Sequence, residues 1–267
     1  MKKQILIVGS GFAGMWAAVS AARLSEQQGN DSLEIAVLAP LPELRVRPRF
    51  YEEKVSTLVA PLTDLFAELD ITFIAGHAEQ IDTTAKTVSY RMSGGAHATA
   101  SYDRLILATG SQTKRPPIAG LADYAFDIDQ LESAQVFERH LDSLALRPST
   151  PERNTVVVCG GGFTGIELAT ELPARLRARF GDNTEIKIVV VERGPVIGGR
   201  YSDALRKTIA EASEALGVEW RLESEVEAID AHGVTLKNGE RIAAATVVWT
   251  AGVEANPLSL QIRSEEH

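Results

Sequence analysis

The chain carries the same six-residue glycine pattern twice, and each copy falls where an apolar, strand-like run gives way to a helix-like one. In the first copy Ile5-Leu6-Ile7-Val8 leads into Gly9-Ser10-Gly11-Phe12-Ala13-Gly14; in the second, Val156-Val157-Val158-Cys159 leads into Gly160-Gly161-Gly162-Phe163-Thr164-Gly165. Both read G-x-G-x-x-G. The first glycine allows the tight turn, the second lets a pyrophosphate approach the backbone, and the third lets the helix pack close to the strand. The helix behind the loop then offers free N–H groups and a partial positive charge to the phosphates. One such pattern is a weak signal. Two, each in strand–turn–helix context, point to two dinucleotides on one chain and so to electron transfer between them.

Bulk properties narrow the alternatives. The 267 residues suffice for one large domain or two medium ones. A net charge of −9 argues against nucleic acid as a partner. Cys159 is the single cysteine, so no internal disulfide forms and no CxxC redox pair exists. The histidines (His77, His97, His140, His232 and His267) have no metal-ligand spacing, and no metal is expected. Met1-Lys2-Lys3 followed by apolar residues imitates a secretory signal, but Gly9, Gly11 and Gly14 interrupt the run with dinucleotide spacing. No run reaches the roughly 18 apolar residues of a membrane span. The expected compartment is the cytoplasm.

The two halves repeat each other. Helices are expected over Phe12–Gln28 and Phe163–Phe180, followed by strands over Glu34–Ala39 and Glu185–Glu192. Alternating strands come next: Ile71–Asp82 and Lys86–Met92 with a Gly94-Gly95 loop, then Glu219–Asp230 and Gly233–Leu236 with the hairpin turn Asn238-Gly239. Each half closes on a buried-looking strand and a glycine, Leu105–Gly110 and Val247–Gly252. Between the halves, Lys114-Arg115-Pro116-Pro117 reads as a linker and Asp127–Leu144 has helical spacing. The pattern is α/β: parallel sheets with right-handed crossovers and an antiparallel flap attached to each.

An acid at the end of the second strand of such a unit reads the adenosine ribose. In the second half this is Glu192, which favours NADH over NADPH, although the neighbouring Arg193 has the chemistry to meet a 2′-phosphate instead. In the first half the position is Ala39, followed by Pro40; Glu34 is misplaced, and Glu43 would have to reach back from the loop. Arg45, Arg47 and Arg49 surround Pro48 on that loop, either as a solvated basic stretch or as a source of one arginine near a flavin. Glu167, just past Gly165, has two readings: a partner for the helix dipole or a proton relay beside a nicotinamide.

Taken together these motifs resemble the two-dinucleotide-binding-domain flavoproteins related to the pyridine nucleotide–disulfide oxidoreductases. Tyr102-Asp103-Arg104-Leu105-Ile106-Leu107-Ala108-Thr109-Gly110-Ser111 is similar to that family's Y-D-x-L-x-x-A-T-G-S signature. Gly162–Ala169 and Val248–Val253 with Asn256-Pro257 resemble the G-x-T-G-[VI]-E-L-A and V-W-x-A-G-V-x-A-N-P segments of its type II NADH dehydrogenases. The resemblance implies two Rossmann-like domains, the second inserted in the first: a FAD-binding domain over residues 1–113 plus 250–267, and an NAD(P)H-binding domain over 114–249. It implies FAD and NADH as cofactors, with NADPH as the alternative. The implied cofactor-binding residues are Gly9, Gly11, Phe12, Ala13, Gly14, Ala39, Pro40, Arg47, Ala78, Ala108, Thr109 and Gly110 in the first half. In the second they are Gly160, Gly162, Phe163, Thr164, Gly165, Glu192, Arg193, Ala251 and Gly252, with Glu167 near the flavin–nicotinamide–quinone region as the catalytic candidate. The disulfide reductases proper are disfavoured, because no active-site cysteine pair exists.

Three departures accompany the resemblance. Ala39 replaces the usual ribose-binding acid. The sequence ends soon after Pro257, where the family continues into a G-D segment that contacts FAD, and the membrane-binding helices of quinone-reducing members are missing. The expected function is hydride transfer from NADH to flavin and onward electron transfer to a quinone-like small acceptor. The alternatives are reduction of a ferredoxin- or rubredoxin-type carrier, which the net acidity mildly disfavours, and nucleotide binding without turnover. A homodimer and a peripheral position at the inner face of the membrane are compatible with the resemblance.

Overall fold

The computed structural model describes residues 2–30 and 32–262. His267 and the last residues of the expected 250–267 segment lie outside that range. By contact, the chain divides into two compact units: Met1–Arg45 with Val59–Gln112 and Glu254–His267, and Val46–Leu58 with Thr113–Val253.

The first unit is built on four parallel strands in the order Ile71–Ala75, Leu33–Ala39, Lys3–Val8, Arg104–Leu107. Alternate residues of a strand face opposite sides of its sheet. Accordingly Ile7 and Val37 pack with Met15, Ala18 and Phe66 on one face, while Leu6, Val8, Ala36 and Leu38 pack with Val88 and Tyr90 on the other. Burial on both faces is why these strands read as continuous apolar runs. The helix Phe12–Gln27 follows the first strand. An antiparallel flap of His77–Asp82, Thr87–Arg91 and His97–Ser101 covers the second face.

The second unit repeats the plan with five parallel strands, in the order Ala125–Phe126, Thr246–Trp249, Thr155–Cys159, Lys187–Val191, Val218–Arg221. Its flap is Val226–Asp230, Gly233–Leu236 and Arg241–Ala243. The helix Phe163–Phe180 carries Pro173 in its interior. A proline there costs about 3 kcal/mol. Leu168, Leu172 and Leu176 are fully buried on the same helix, and at roughly 1.5–3 kcal/mol each they outweigh that cost, so the helix continues to Phe180.

Several sequence expectations are corrected. The run Ile71–Asp82 is two strands, not one. It breaks at Gly76, where a Cβ would stand 2.4 Å from the Tyr90 ring, so the first piece stays in the parallel sheet and the second joins the flap. Glu219–Asp230 breaks in the same way, between the sheet strand ending at Arg221 and the flap strand starting at Val226. The helix expected from Asp127 starts at Leu131, because Asp127 and Asp129 are engaged in ion pairs with Arg115 and Arg47. The helices Thr63–Glu68 and Asp203–Leu216 have no counterpart in the sequence reading.

Candidate functional site

The first glycine loop is fixed from below and open from above. Gly9 has φ +112°, and a Cβ there would lie 2.3 Å from the Ala108 carbonyl oxygen; at Gly14 it would lie 1.9 Å from the Gly9 carbonyl oxygen. At Gly11 a Cβ would meet nothing within 4 Å. Gly11 caps the helix without a side-chain hydrogen bond, leaving the first-turn N–H groups, beginning at the exposed Phe12 and Ala13, without a side-chain acceptor. The Ala108 amide donates to the Val8 carbonyl at 2.8 Å, which brings Ala108, Thr109 and Gly110 alongside the loop. Ser10 Oγ donates to the Leu41 and Glu43 carbonyls at 3.1 Å each. Ala39 is buried at the strand end, its carbonyl accepting from the Gly76 amide at 3.0 Å, and Pro40 is exposed beyond it. Neither of the two acids near this strand takes the ribose position: Glu34 pairs with Lys2 at the strand's start, and Glu43 is held by Arg45 Nε at 2.7 Å. Ala78 lies half-buried in the flap against the sheet core. Arg47 belongs to the other unit, where it pairs with Asp129.

The second loop has the same construction. At Gly160, φ +117°, a Cβ would lie 2.9 Å from Ala251 Cα; at Gly165 it would lie 1.9 Å from the Gly160 carbonyl oxygen. At Gly162 it would meet nothing within 4 Å, and Gly162 also caps its helix without a side-chain bond. Thr250 Oγ1 donates toward the Cys159 and Gly160 carbonyls at 3.1 Å, and the Gly252 carbonyl accepts from the Lys114 amide at 3.1 Å. Trp249 Nε1 donates to the Lys114 carbonyl at 2.9 Å, so the expected linker is laid along the strand end.

Glu192 does more than its sequence position implies. Its Oε2 accepts from the Gly161 amide at 2.6 Å and its Oε1 from the Gly194 amide at 2.7 Å. Charge-assisted bonds of this kind are short and strong, and these two fix the carboxylate beside the loop while leaving each oxygen a further lone pair. The Trp220 ring flanks Gly161 on the same side. Arg193 is exposed and its charge is felt by Glu225. Phe163 is exposed and meets Tyr201 edge-on, with ring centroids 5.0 Å apart; Thr164 beside it is exposed too.

Glu167 stands half-buried in a cluster that sequence spacing did not reveal. Burial pushes its carboxyl above the usual carboxylate range, and the charge of Glu52 adds to the effect. The phenols of Tyr51 and Tyr201 are likewise raised, first by burial and then by the charge of Glu167. Tyr51 is anchored by Arg175, whose Nη1 donates to the Tyr51 carbonyl at 2.6 Å. Glu52 is itself held by Arg49. The group offers a carboxyl shifted toward its neutral form and two phenols that feel its charge. Tyr51 and Tyr201 are far from Glu167 in sequence, which explains why no motif announces them. Trp220 was likewise hidden in an ordinary strand.

Two other titratable groups are withdrawn from solvent, Cys159 just before the second loop and His140 away from both loops. Cys159 is fully buried, and its thiol is pushed up to about 12, consistent with a packing role. His140 packs on Phe126 at 4.3 Å, its Nε2 lies 2.8 Å from Thr246 Oγ1, and burial lowers it from 6.5 to about 4. The unfolded chain therefore takes up a proton here before the folded one does, so the contribution is complete above pH 6.5 and is lost as pH falls to 4. At about 1.4 kcal/mol per pH unit, discounted for solvent access to the ring, the loss is on the order of 2 kcal/mol. His140→Gln is expected to flatten this part of a stability–pH curve measured by denaturant titration. Among the described residues no His, Cys, Asp or Glu cluster is arranged to hold a metal ion, and no helix is long and apolar enough to cross a membrane.

Each of the two α/β units has a parallel sheet and a glycine loop at a strand end before a helix that no side chain caps. Residues 3–266 match the family described as pyridine nucleotide-disulphide oxidoreductase, and the chain belongs to that family. It is 38% identical over 263 residues to an NADH dehydrogenase-like protein of Mycobacterium tuberculosis, covering 97% of this chain and 65% of that one. It is 27% identical to a type II NADH:quinone oxidoreductase of Staphylococcus haemolyticus, covering 96% of this chain and 66% of that one. Among solved structures, NDH2 of Plasmodium falciparum in complex with NADH superposes with a TM-score of 0.84 at 17% identity, covering 98% of this chain and 57% of that one. The chain thus spans just under two thirds of the length of the two relatives and 57% of the solved chain.

Proposed function

We propose that the chain is the nucleotide-binding portion of an FAD-dependent NADH dehydrogenase that passes electrons to a quinone or another small acceptor. The observation that carries this reading is the pair of loops at which a Cβ on the middle glycine, Gly11 or Gly162, would enter open space before an uncapped helix N-terminus. The names of the relatives support it. Gly9, Gly11, Phe12, Ala13 and Gly14 would hold the FAD pyrophosphate, with Ala39, Pro40, Ala78 and Ala108–Gly110 around it. Gly160, Gly162–Gly165, Ala251 and Gly252 would hold NADH, with Glu192 on the ribose hydroxyls and the exposed Arg193 as the group that would admit NADPH. Flavin, when bound, supplies the hydride acceptance and electron release that side chains lack. Glu167, Tyr51 and Tyr201 would hold and exchange the protons that accompany reduction of the acceptor.

Two substitutions separate these roles. Glu192→Ala removes the ribose acceptor and both loop bonds, and is expected to raise the NADH dissociation constant about tenfold or more, as two lost charge-assisted bonds imply. Glu167→Gln is expected to lower turnover about 10²-fold while leaving NADH affinity within about twofold, since the phosphate loop is untouched.

Nucleotide binding without turnover is the second reading, favoured by the first strand end, where Ala39 stands in place of an acid while Glu34 pairs with Lys2 and Glu43 with Arg45. A visible spectrum of the purified protein supplied with FAD decides between them. Bound flavin that bleaches on anaerobic addition of NADH and recovers with a quinone supports the dehydrogenase. Recovery with a ferredoxin or rubredoxin but not a quinone assigns the carrier-protein acceptor instead. Protein that binds NADH calorimetrically but retains no flavin leaves only the binding reading.

A further inference from the structure

The helix Phe163–Phe180 buries an arginine two turns beyond Glu167. Arg175 is 2% exposed, and its Nε is a buried polar atom without a hydrogen-bond partner among the described residues. Its ion pair with Glu53 Oε1 is long, at 3.9 Å, and the Phe137 ring lies beside its guanidinium at 5.5 Å. Burying a charge with so few partners is costly. The short bond it does make is to main chain, from Nη1 to the Tyr51 carbonyl at 2.6 Å.

Tyr51 belongs to a strap, Val46–Leu58, closed at its base by the Val46 amide donating to the Leu58 carbonyl at 2.9 Å. A loop of this size with joined ends is a compact unit of its own. Its Phe50 and Val55 are buried, and Val55–Thr57 packs on the helix Leu131–Leu144. Further polar ties join Arg47 to Asp129, the Lys54 amide to Glu138 Oε1 at 2.5 Å, and Glu53 to Arg179. These are partly open to water, where each contributes little. Arg175 ties the strap under cover, at the residue that carries the phenol. Glu167, Glu171, Arg175 and Arg179 recur every four residues and so form one stripe along the helix. The strap follows that stripe: Tyr51 feels the charges of Glu167 and Glu171, Glu52 acts on Glu167, and Glu53 meets Arg175 and Arg179. Tyr201 reaches Glu167 from a further element, just before the helix Asp203–Leu216.

We propose that Arg175 is a positioning residue: by holding the Tyr51 carbonyl it fastens the strap to the helix, and so keeps the Tyr51 phenol and the Glu52 carboxylate beside Glu167. The proposal rests on the reading of Glu167 as a group that exchanges protons with the acceptor, and adds how the fold sets that group's hold on its proton. Arg175 acts on Glu167 in two ways of opposite sign. As a cation about 12 Å away along the helix, it favours the carboxylate, so its loss alone would raise the Glu167 midpoint. As an anchor, it maintains the burial and the Glu52 charge that push this carboxyl up, so its loss lowers the midpoint. The sign separates anchor from distant charge, and a residue that merely packs moves neither.

The test compares the unmodified chain with Arg175→Met, whose flexible apolar side chain still packs against Phe137. Two quantities are read by NMR. One is the titration midpoint of the Glu167 carboxyl carbon, assigned with Glu167→Gln. The other is hydrogen exchange at the Phe50 and Glu52 amides, which donate within the strap to the Arg47 and Arg49 carbonyls at 3.1 and 2.9 Å. Both are measured without flavin or turnover, so failure here is distinct from failure of the dehydrogenase reading, which the flavin spectrum tests. The expected result is a lower Glu167 midpoint together with at least about tenfold faster exchange at both amides. Arg175→Lys keeps the charge but not the planar fork; it is expected to move both readings the same way, and takes the place of Arg175→Met if that variant does not fold. The proposal is overturned if the folded variant leaves the midpoint unchanged or raises it, or if the two amides keep their exchange rates.

Discussion

Gly162→Val is expected to weaken NADH binding by at least about 100-fold while the protein stays folded. A Cβ at this position meets nothing within 4 Å, and the backbone there is extended, at φ −78° and ψ −176°, which valine adopts without strain. The fold therefore has no reason to object beyond the few tenths to about 1 kcal/mol lost at a helix cap. The empty space in front of Gly162 is what a pyrophosphate would occupy on its way to the first-turn N–H groups. An isopropyl group there displaces the ligand from several charge-assisted hydrogen bonds at about 1.5–3 kcal/mol each, and a 100-fold loss needs only about 2.7 kcal/mol. Calorimetric titration with NADH, beside a thermal melt, measures both halves of the prediction.

Gly165→Ala, a smaller change three residues on, is expected to have the opposite signature and to destabilise the second unit severely. The new methyl carbon would sit 1.9 Å from the Gly160 carbonyl oxygen and 2.8 Å from Thr250 Oγ1. Neither can yield cheaply: Gly160 is held by its amide to the Val191 carbonyl at 2.9 Å, and Thr250 by its amide to the Cys159 carbonyl at 2.9 Å. The helix must move off the strand, uncovering part of the contact in which Leu168, Leu172 and Leu176 are fully buried. Overpacking typically costs 1–3 kcal/mol and more where backbone is the obstacle. A loss of about 3 kcal/mol or more, read as a fall of roughly 10 °C in melting temperature, is the expected result. Gly14→Ala should do the same to the first unit, since its methyl would lie 1.9 Å from the Gly9 carbonyl oxygen.

These contrasts show which part of the molecule was legible in sequence. The glycine loops, the helix Phe163–Phe180 and the central strands were readable because each rests on a local rule: spacing for the loops, 3.6-residue periodicity for the helix, buried apolar runs for the strands. The breaks at Gly76 and after Arg221 were not, because in both places one continuous strand-like pattern passes from a parallel sheet to a flap, and only packing against partners such as Tyr90 decides where it divides. The helix Asp203–Leu216 went unread although Leu205, Ile209 and Leu216 recur at helical spacing; with Ser213 its one buried residue, no motif or buried run marks it. At the sites, Glu192 was placed by position, but its bonds to the Gly161 and Gly194 amides depend on a turn that no motif encodes. Tyr51 and Tyr201 surround Glu167 through tertiary folding alone. The same is true of Val46–Leu58, which follows the first-unit strand in sequence yet packs with the second unit.

The central claim is that each glycine loop holds its own dinucleotide. Parallel titrations of the unmodified chain, Gly11→Val and Gly162→Val with FAD and with NADH test it most directly. The predicted result is one FAD and one NADH per unmodified chain, bound without competition, with Gly11→Val losing FAD alone and Gly162→Val losing NADH alone. Competition of the two ligands for a single loop, or a Gly162→Val protein that binds NADH as tightly as the unmodified chain, would contradict the account.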